Sequence, residues 1–249
     1  MAKALDLRKM VLFAIVAIMV LLPLSGALPA SAKYHPKALI LSSLERYSPM
    51  GHLDAVTNDL TSAGYNVTFV SDTAVTINLL TTQLNDYDVV IWRTDVYERA
   101  RITYWYLGEL VDQETSQAYA SGVAAGWLDN SHGILGVSID FFRYHFTSGS
   151  LANVKVAILM SSMSLSIANV FIQAGVKATV DYYASFSAAS NLSDYVTQLL
   201  IECLAAGNTV KDSVTNTVNR FASLVVSGSL DPNYLPPVSY LGDGTLTII

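Results

Sequence analysis

The sequence is short of the residues that mark many functional classes. Of its 249 residues only one is cysteine, four are histidine, and 14% carry charge. A single cysteine, Cys203, excludes an internal disulfide and any zinc site built from several thiolates. His35, His52, His132 and His145 show neither H-x-x-x-H nor H-E-x-x-H spacing, so no metal site is expected. There is no G-x-x-x-x-G-K-S/T loop, and no G-x-G-x-x-G follows the first apolar run, so no nucleotide cofactor is expected. The absence of a G-x-S-x-G elbow disfavours an ordinary α/β-hydrolase. With 14 basic against 20 acidic residues and no basic run beyond Lys9, nucleic acid is not an expected partner.

What is abundant is apolar: 52% of the chain, well above what a disordered sequence carries. Residues 1–32 read as a secretory signal. Lys3, Arg8 and Lys9 supply the charged start, Met10 to Leu22 an unbroken apolar run, and Ala30-Ser31-Ala32 a small-residue cleavage site. That run is 13 residues, short of the ~20 that span a bilayer. Extended through Pro23 to Pro29 it would make a poor membrane anchor, so a membrane enters only if residues 1–32 are retained. Removing Lys3, Asp6, Arg8 and Lys9 leaves 11 basic and 19 acidic residues, a net of −8, in the 217 residues from Lys33 onward. Asn66-Val67-Thr68 and Asn191-Leu192-Ser193 match the N-glycosylation triplet, which is weak support for export by itself.

Residues 33–249 alternate apolar runs with amphipathic stretches. Lys37 to Leu44, Asn66 to Val70, Asp88 to Trp92, Lys155 to Met160 and Val176 to Tyr183 predict five strands. Leu53, Val56, Leu60 and Ala63 recur at helical spacing. So do Ile167, Val170, Phe171 and Ala174, then Val196, Leu199, Leu200, Cys203 and Leu204. Val214, Val218, Phe221 and Val225 line a last helix over Val210 to Val226. Ala63-Gly64, Ala174-Gly175 and Ala206-Gly207 read as helix stops. Repeated βα units with short turns and continuously apolar strands predict an α/β fold: one domain, a mostly parallel sheet, helices on both faces. The stretch from Asp95 to Asn153 breaks the pattern and reads as an insertion between strands three and four. Within it Ile102 to Leu107 looks like a strand, Gln113 to Gly126 is polar and small, and Gly133 to Phe142 suggests a short strand and helix. Leu230 to Tyr240 reads as a proline-bearing linker and Thr245 to Ile249 as a final edge strand, free to pair with another chain.

In an open parallel sheet, ligands bind beyond the carboxyl ends of the strands. That rule selects Ser42 and Ser43, Arg93 to Asp95, and Ser161 to Ser164. Arg93 is either an anion-facing guanidinium or half of an ion pair with a neighbour such as Asp95 or Glu98. Ser161 and Ser164 are binding candidates. Ser162 is a nucleophile only if a base lies within hydrogen-bond reach. Cys203, on an apolar helical stripe, reads as a buried structural thiol.

Two segments carry a family resemblance. Val90-Ile91-Trp92-Arg93-Thr94-Asp95 is similar to I-I-x-R-x-H-(S/G). Ile158-Leu159-Met160-Ser161-Ser162-Met163-Ser164-Leu165 and the following Ala168 to Lys177 are similar to I-x-M-x-G-C-x-x-L and A-x-A-F-I-x-x-G-A-K. These patterns, with Lys37-Ala38-Leu39-Ile40, Ala63-Gly64-Tyr65 and Tyr87-Asp88-Val89-Val90, resemble the caspase-like clan of clostripain, gingipain and legumain, and within it secreted archaeal members of unassigned function. In active members the histidine after strand three is the general base and the cysteine after strand four the nucleophile. Those positions hold Asp95 and Ser162 here. An Asp near its ordinary value of about 3.9 is too weak a base to activate a serine hydroxyl at neutral pH.

The resemblance therefore implies a vestigial dyad in an exported, non-catalytic domain that acts in binding, to a protein or peptide at the cell surface, or as a structural component of that surface. Two alternatives stand beside it. His132 or His145 could fold back onto Ser162 and give a serine-type hydrolase. The chain could also be an exported solute-binding protein whose aromatics Tyr104, Trp105, Tyr106, Tyr119 and Trp127 stack on a ligand.

Overall fold

The computed structural model describes residues 34–43, 45–182, 191–228 and 238–249. By its contacts the chain divides into Met1–Tyr34 and His35–Ile249, and the second unit holds every helix and strand of the described residues. The signal or anchor expected over residues 1–32 and most of the expected linker lie outside the described residues.

Five of the expected strands and one more form the main sheet. They are β1 Lys37–Ser42, β2 Asn66–Ser71, β3 Val89–Arg93, β8 Val156–Met160, β9 Ala178–Tyr182 and β10 Val238–Gly242. Their order is β2-β1-β3-β8-β9-β10. The first five are parallel, and β10 runs antiparallel to β9, with Ser239 opposite Asp181. The chain thus makes an α/β fold with a mostly parallel sheet. Its strand order reverses between β1 and β3, the point where such sheets open a crevice.

Because side chains alternate along a strand, each strand feeds two cores. Ala38, Ile40, Val89, Ile91, Ile158 and Val180 face Val56 and Leu60 of α1 (Leu53–Ser62), Leu200 and Leu204 of α7 (Asn191–Ala205), and Val210 and Phe221 of α8 (Val210–Val226). Leu39, Leu41, Val90, Trp92, Ala157 and Leu159 face Leu79 and Leu80 of α2 (Ile77–Gln83), Phe141 and Phe142 of α5 (Ile139–His145), and Ile167 and Phe171 of α6 (Leu165–Gln173). Burial on both sides explains the unbroken apolar runs. Each wholly buried Leu, Ile or Phe contributes about 1.5–3 kcal/mol.

The helix stops work as expected. Gly64 (φ 92°) and Gly175 (φ 111°) adopt the left-handed backbone that a Cβ would penalise. The amides of Gly64 and Tyr65 then reach the carbonyls of Thr61 and Leu60, and those of Gly175 and Val176 reach Ile172 and Phe171.

The insertion builds a second sheet. It holds β4 Val96–Arg99, β5 Ile102–Leu110, β6 Leu128–Asp129 and β7 Ile134–Ser138, in the antiparallel order β4-β5-β7-β6. The polar stretch before β6 folds as two short helices, α3 Gln113–Ala118 and α4 Ala120–Ala124. Asp112 caps α3 by accepting from the Thr115 amide at 2.7 Å. Trp105, Leu107, Leu128, Leu135 and Val137 join the core beneath Trp92, so the second sheet shares a hydrophobic interior with the main one. A shift in register between Tyr106 and Leu110 lets β5 lean on the turn at Asp72–Ala74, where the Gly108 amide donates to Val75 O at 3.0 Å.

One expected element is corrected. Thr245 to Ile249 is not a strand. The edge position is taken by Val238–Gly242, whose backbone can pair with β9 immediately. The terminal segment packs back instead: Ile248 is buried, and its carbonyl accepts from the Tyr65 hydroxyl at 2.5 Å.

Candidate functional site

At the carboxyl ends of the main strands, polar side chains are plentiful and mostly committed to one another. Arg93 is 2% exposed and its guanidinium is surrounded. Nε donates to Asp194 Oδ1 at 2.8 Å, Nη1 to the Ser48 carbonyl at 2.8 Å and to Ser42 Oγ at 3.4 Å, and Nη2 to Ser48 Oγ at 3.2 Å. Its ion-pair partner is therefore Asp194, 101 residues away on α7, and not Asp95 or Glu98. Asp194 also accepts from the Gly51 amide at 2.8 Å. Burial pushes its carboxyl up, against the opposing pull of Arg93 and that amide. Ser42 Oγ donates to Glu45 at 2.6 Å, and Trp92 Nε1 donates to Ser43 Oγ at 3.1 Å.

The turn after β8 is similarly tied. Ser164 Oγ donates to the Tyr182 carbonyl and accepts from the Tyr182 amide, each at 3.0 Å, which pins the start of α6 to the end of β9. Ser161 is buried and donates to the Ser162 carbonyl at 3.1 Å. Ser162 is half-buried, and Met163 turns outward with φ 60°. Asp95 Oδ1 accepts from the next amide, Val96 N, at 2.8 Å, holding its carboxylate against its own strand.

The two candidate bases are engaged by other groups. His132 sits on the second sheet, its Nδ1 3.1 Å from Ser131 Oγ and 3.7 Å from Asp129 Oδ2, with its ring edge-on to Tyr97 at 4.6 Å. His145 ends α5 against Phe141 at 4.4 Å and Tyr144 at 5.0 Å, and burial lowers its tendency to protonate.

The second sheet holds a cluster that the sequence did not advertise. Asp129, 2% exposed, accepts from Tyr97 at 2.8 Å and Ser131 Oγ at 2.6 Å, and pairs with Arg99. Burial raises its carboxyl, but the bonds from Ser131, Tyr97 and Arg99 outweigh it and hold the group below the usual range. Burial and that carboxylate push the Tyr97 phenol far up, so it remains a donor. A Cβ on Gly136 would lie 2.2 Å from the Tyr97 hydroxyl, so the glycine is what admits the ring. The spacing Asp129-x-x-His132 was the one available signal.

Of the aromatics considered for stacking, Tyr104 and Trp105 are buried. Tyr119 donates to Glu109 at 3.1 Å and its phenol is pushed up to about 12, first by burial and then by that carboxylate. Trp127 packs on Tyr144 at 4.4 Å. Cys203 is buried on α7, and burial pushes its thiol up.

Between the second sheet and α6 lies an open cleft of about 810 Å³. Ile102, Trp105, Ile139, Met163, Leu165 and Tyr182 supply its apolar walls, and Arg101, Thr103, Asp140, Ser166 and Asn169 its polar groups. Ile102, Met163 and Leu165 are 37%, 58% and 47% exposed. The turn at its rim is left-handed at two successive non-glycine residues, Ala100 (φ 51°) and Arg101 (φ 66°). Two-residue hairpins prefer Asn-Gly there, and each wrong residue costs about 1–2 kcal/mol.

No family profile matches the chain, and no curated protein is significantly similar to it. Among solved structures it is similar to a protein from Geobacter sulfurreducens (10% identity, 84% of this chain and 94% of that one, TM-score 0.43). It is also similar to Bacillus subtilis pyridoxal kinase in complex with ADP (10% identity, 83% and 97%, TM-score 0.33). A third is a response regulator receiver domain protein from Clostridium thermocellum (14% identity, 76% and 98%, TM-score 0.28). None resembles the chain closely enough to carry an activity over to it.

Proposed function

We propose that this chain is an exported, non-catalytic domain of caspase-like type that binds a protein or peptide at the cell surface. The observation that supports it most is the placement of His132. Its imidazole is engaged by Ser131 and Asp129 on the second sheet, and Asp95, at the position of the family's base, spends its carboxylate on its own strand. A serine hydroxyl needs an activating base to serve as a nucleophile at neutral pH, and both of these groups are engaged by other partners. The polar groups around it are held as structure: Arg93 by Asp194, Ser164 by Tyr182.

A fluorophosphonate probe tests this directly on the chain from Lys33 onward. No labelling of Ser162 is expected between about pH 6 and pH 9, a range that brackets the ordinary imidazole value of about 6.5. Labelling that disappears in Ser162→Ala, together with turnover of ester or peptide substrates, would replace this reading with the serine-hydrolase alternative.

A further inference from the structure

We propose that Asn66 is a modification site: it carries an N-linked glycan that guards the open edge of the main sheet. The inference goes beyond the binding reading above and rests only on its exported half, because this modification belongs to secreted chains. Three observations meet at this residue.

The first is the edge itself. β2 ends the main sheet, with β1 on one side and no strand on the other. The Asn66 amide donates to Pro36 O at 2.8 Å, so the amides of Asn66, Thr68 and Val70 turn toward β1 and those of Val67, Phe69 and Ser71 turn outward. Phe69 is 39% exposed on this strand. The second is what the edge lacks. Charged side chains, proline and bulges keep free edges from pairing with other chains. β4, at the edge of the second sheet, has exposed Glu98 and Arg99. Asn66–Ser71 has no charge and no proline, and its pairing with β1 runs unbroken from Asn66 opposite Lys37 to Ser71 opposite Ser42. The third is the residue that opens the strand. Asn66 begins the triplet Asn66-Val67-Thr68, is exposed, and its carboxamide makes no hydrogen bond among the described residues. Alternation puts the Thr68 side chain, whose hydroxyl completes the triplet, on the same face as that carboxamide.

Transfer joins the Asn66 carboxamide nitrogen to the anomeric carbon of a lipid-phosphate-linked oligosaccharide. The bond from that carbon to the phosphate oxygen breaks, the lipid phosphate leaves, and the nitrogen gives up one proton. The product is a bulky, hydrated group at the head of a strand that β2 of a second copy would otherwise extend.

The test expresses the full chain in a secretory host that attaches N-linked sugars, and follows the material released to the medium. Peptide mass spectrometry is expected to find the sugar on Asn66, with an aspartate left there after an amidase releases it. Asn66→Gln and Thr68→Ala should each lose the sugar. Thr68→Ser should keep it, which sets this transfer apart from any other modification of the asparagine. In sedimentation the modified chain should run as a monomer. Asn66→Gln should associate toward about twice that mass as its concentration rises, and adding Phe69→Lys should return it to the monomer. Chain in the medium with Asn66 bare, or with sugar on Asn191 alone, would overturn the site and leave the exported reading intact. A sugar whose loss in Asn66→Gln brings no association would overturn its guarding role. Chain that stays inside the cell would defeat the exported reading and this inference together.

Discussion

The two sheets hold their arginines differently. At the carboxyl ends of the main sheet, where an α/β fold usually keeps its chemistry, Arg93, Asp194, Ser42 and Ser164 are buried and bonded to each other or to backbone. On the second sheet Arg101 is exposed and makes no ion pair or hydrogen bond among the described residues, at a turn with two successive left-handed non-glycine residues. A region whose polar groups satisfy one another is holding a fold together. A rim that keeps an exposed guanidinium and local strain is the better candidate for meeting a partner.

Removing one side of the Arg93 pair should break the comparison most forcefully. Asp194→Ala leaves a buried guanidinium unpaired and should cost about 3–5 kcal/mol in chemical denaturation. Within the second sheet the corresponding damage is smaller. Gly136→Ala drives a methyl into Tyr97 and should cost about 1–3 kcal/mol, with faster hydrogen exchange confined to β5–β7.

Acid should separate the sheets. Hydrogen bonds hold the Asp129 carboxyl low, so its stabilisation is present above the unfolded value of about 3.9 and is lost as pH falls through its lowered one. Asp181 on β9 behaves inversely. Its Oδ2 has no partner among the described residues and burial raises its pKa. Its contribution is therefore present below about 3.9 and lost as pH rises through the raised value. Hydrogen exchange under acid should open β6 and β7 while β9 stays protected. Asp181→Asn should raise stability near neutral pH by on the order of 1 kcal/mol, a gain that shrinks as the pH drops. Arg101→Gly should stabilise the chain by a similar amount, about 1 kcal/mol in chemical denaturation, by relieving the rim turn.

The main sheet is legible in the sequence because its signals are local. Val156–Met160 is an apolar run between polar flanks, Val210–Val226 keeps a helical stripe, and an Ala-Gly pair ends α1 and α6. Helix α2 escapes because its seven residues, Ile77–Gln83, are too few for the helical period to stand out. The misplaced last strand has a similar cause. Thr245 to Ile249 and Val238–Gly242 are both β-prone, and only proximity to β9 distinguishes them.

The site is less legible because it is made at long range. Asp194 meets Arg93 across 101 residues, a separation at which no local spacing points to the pair. The Arg99–Ile102 hairpin lacks the glycine that would announce its turn, and nothing in the spelling of Trp105 says that its N–H goes unmet.

Whether this chain binds or cuts is decided most directly by a fluorophosphonate probe applied to the chain from Lys33 onward, with labelling read at Ser162. No labelling is expected between about pH 6 and pH 9, a range that brackets the ordinary imidazole value of about 6.5. Labelling that vanishes in Ser162→Ala would contradict a non-catalytic domain.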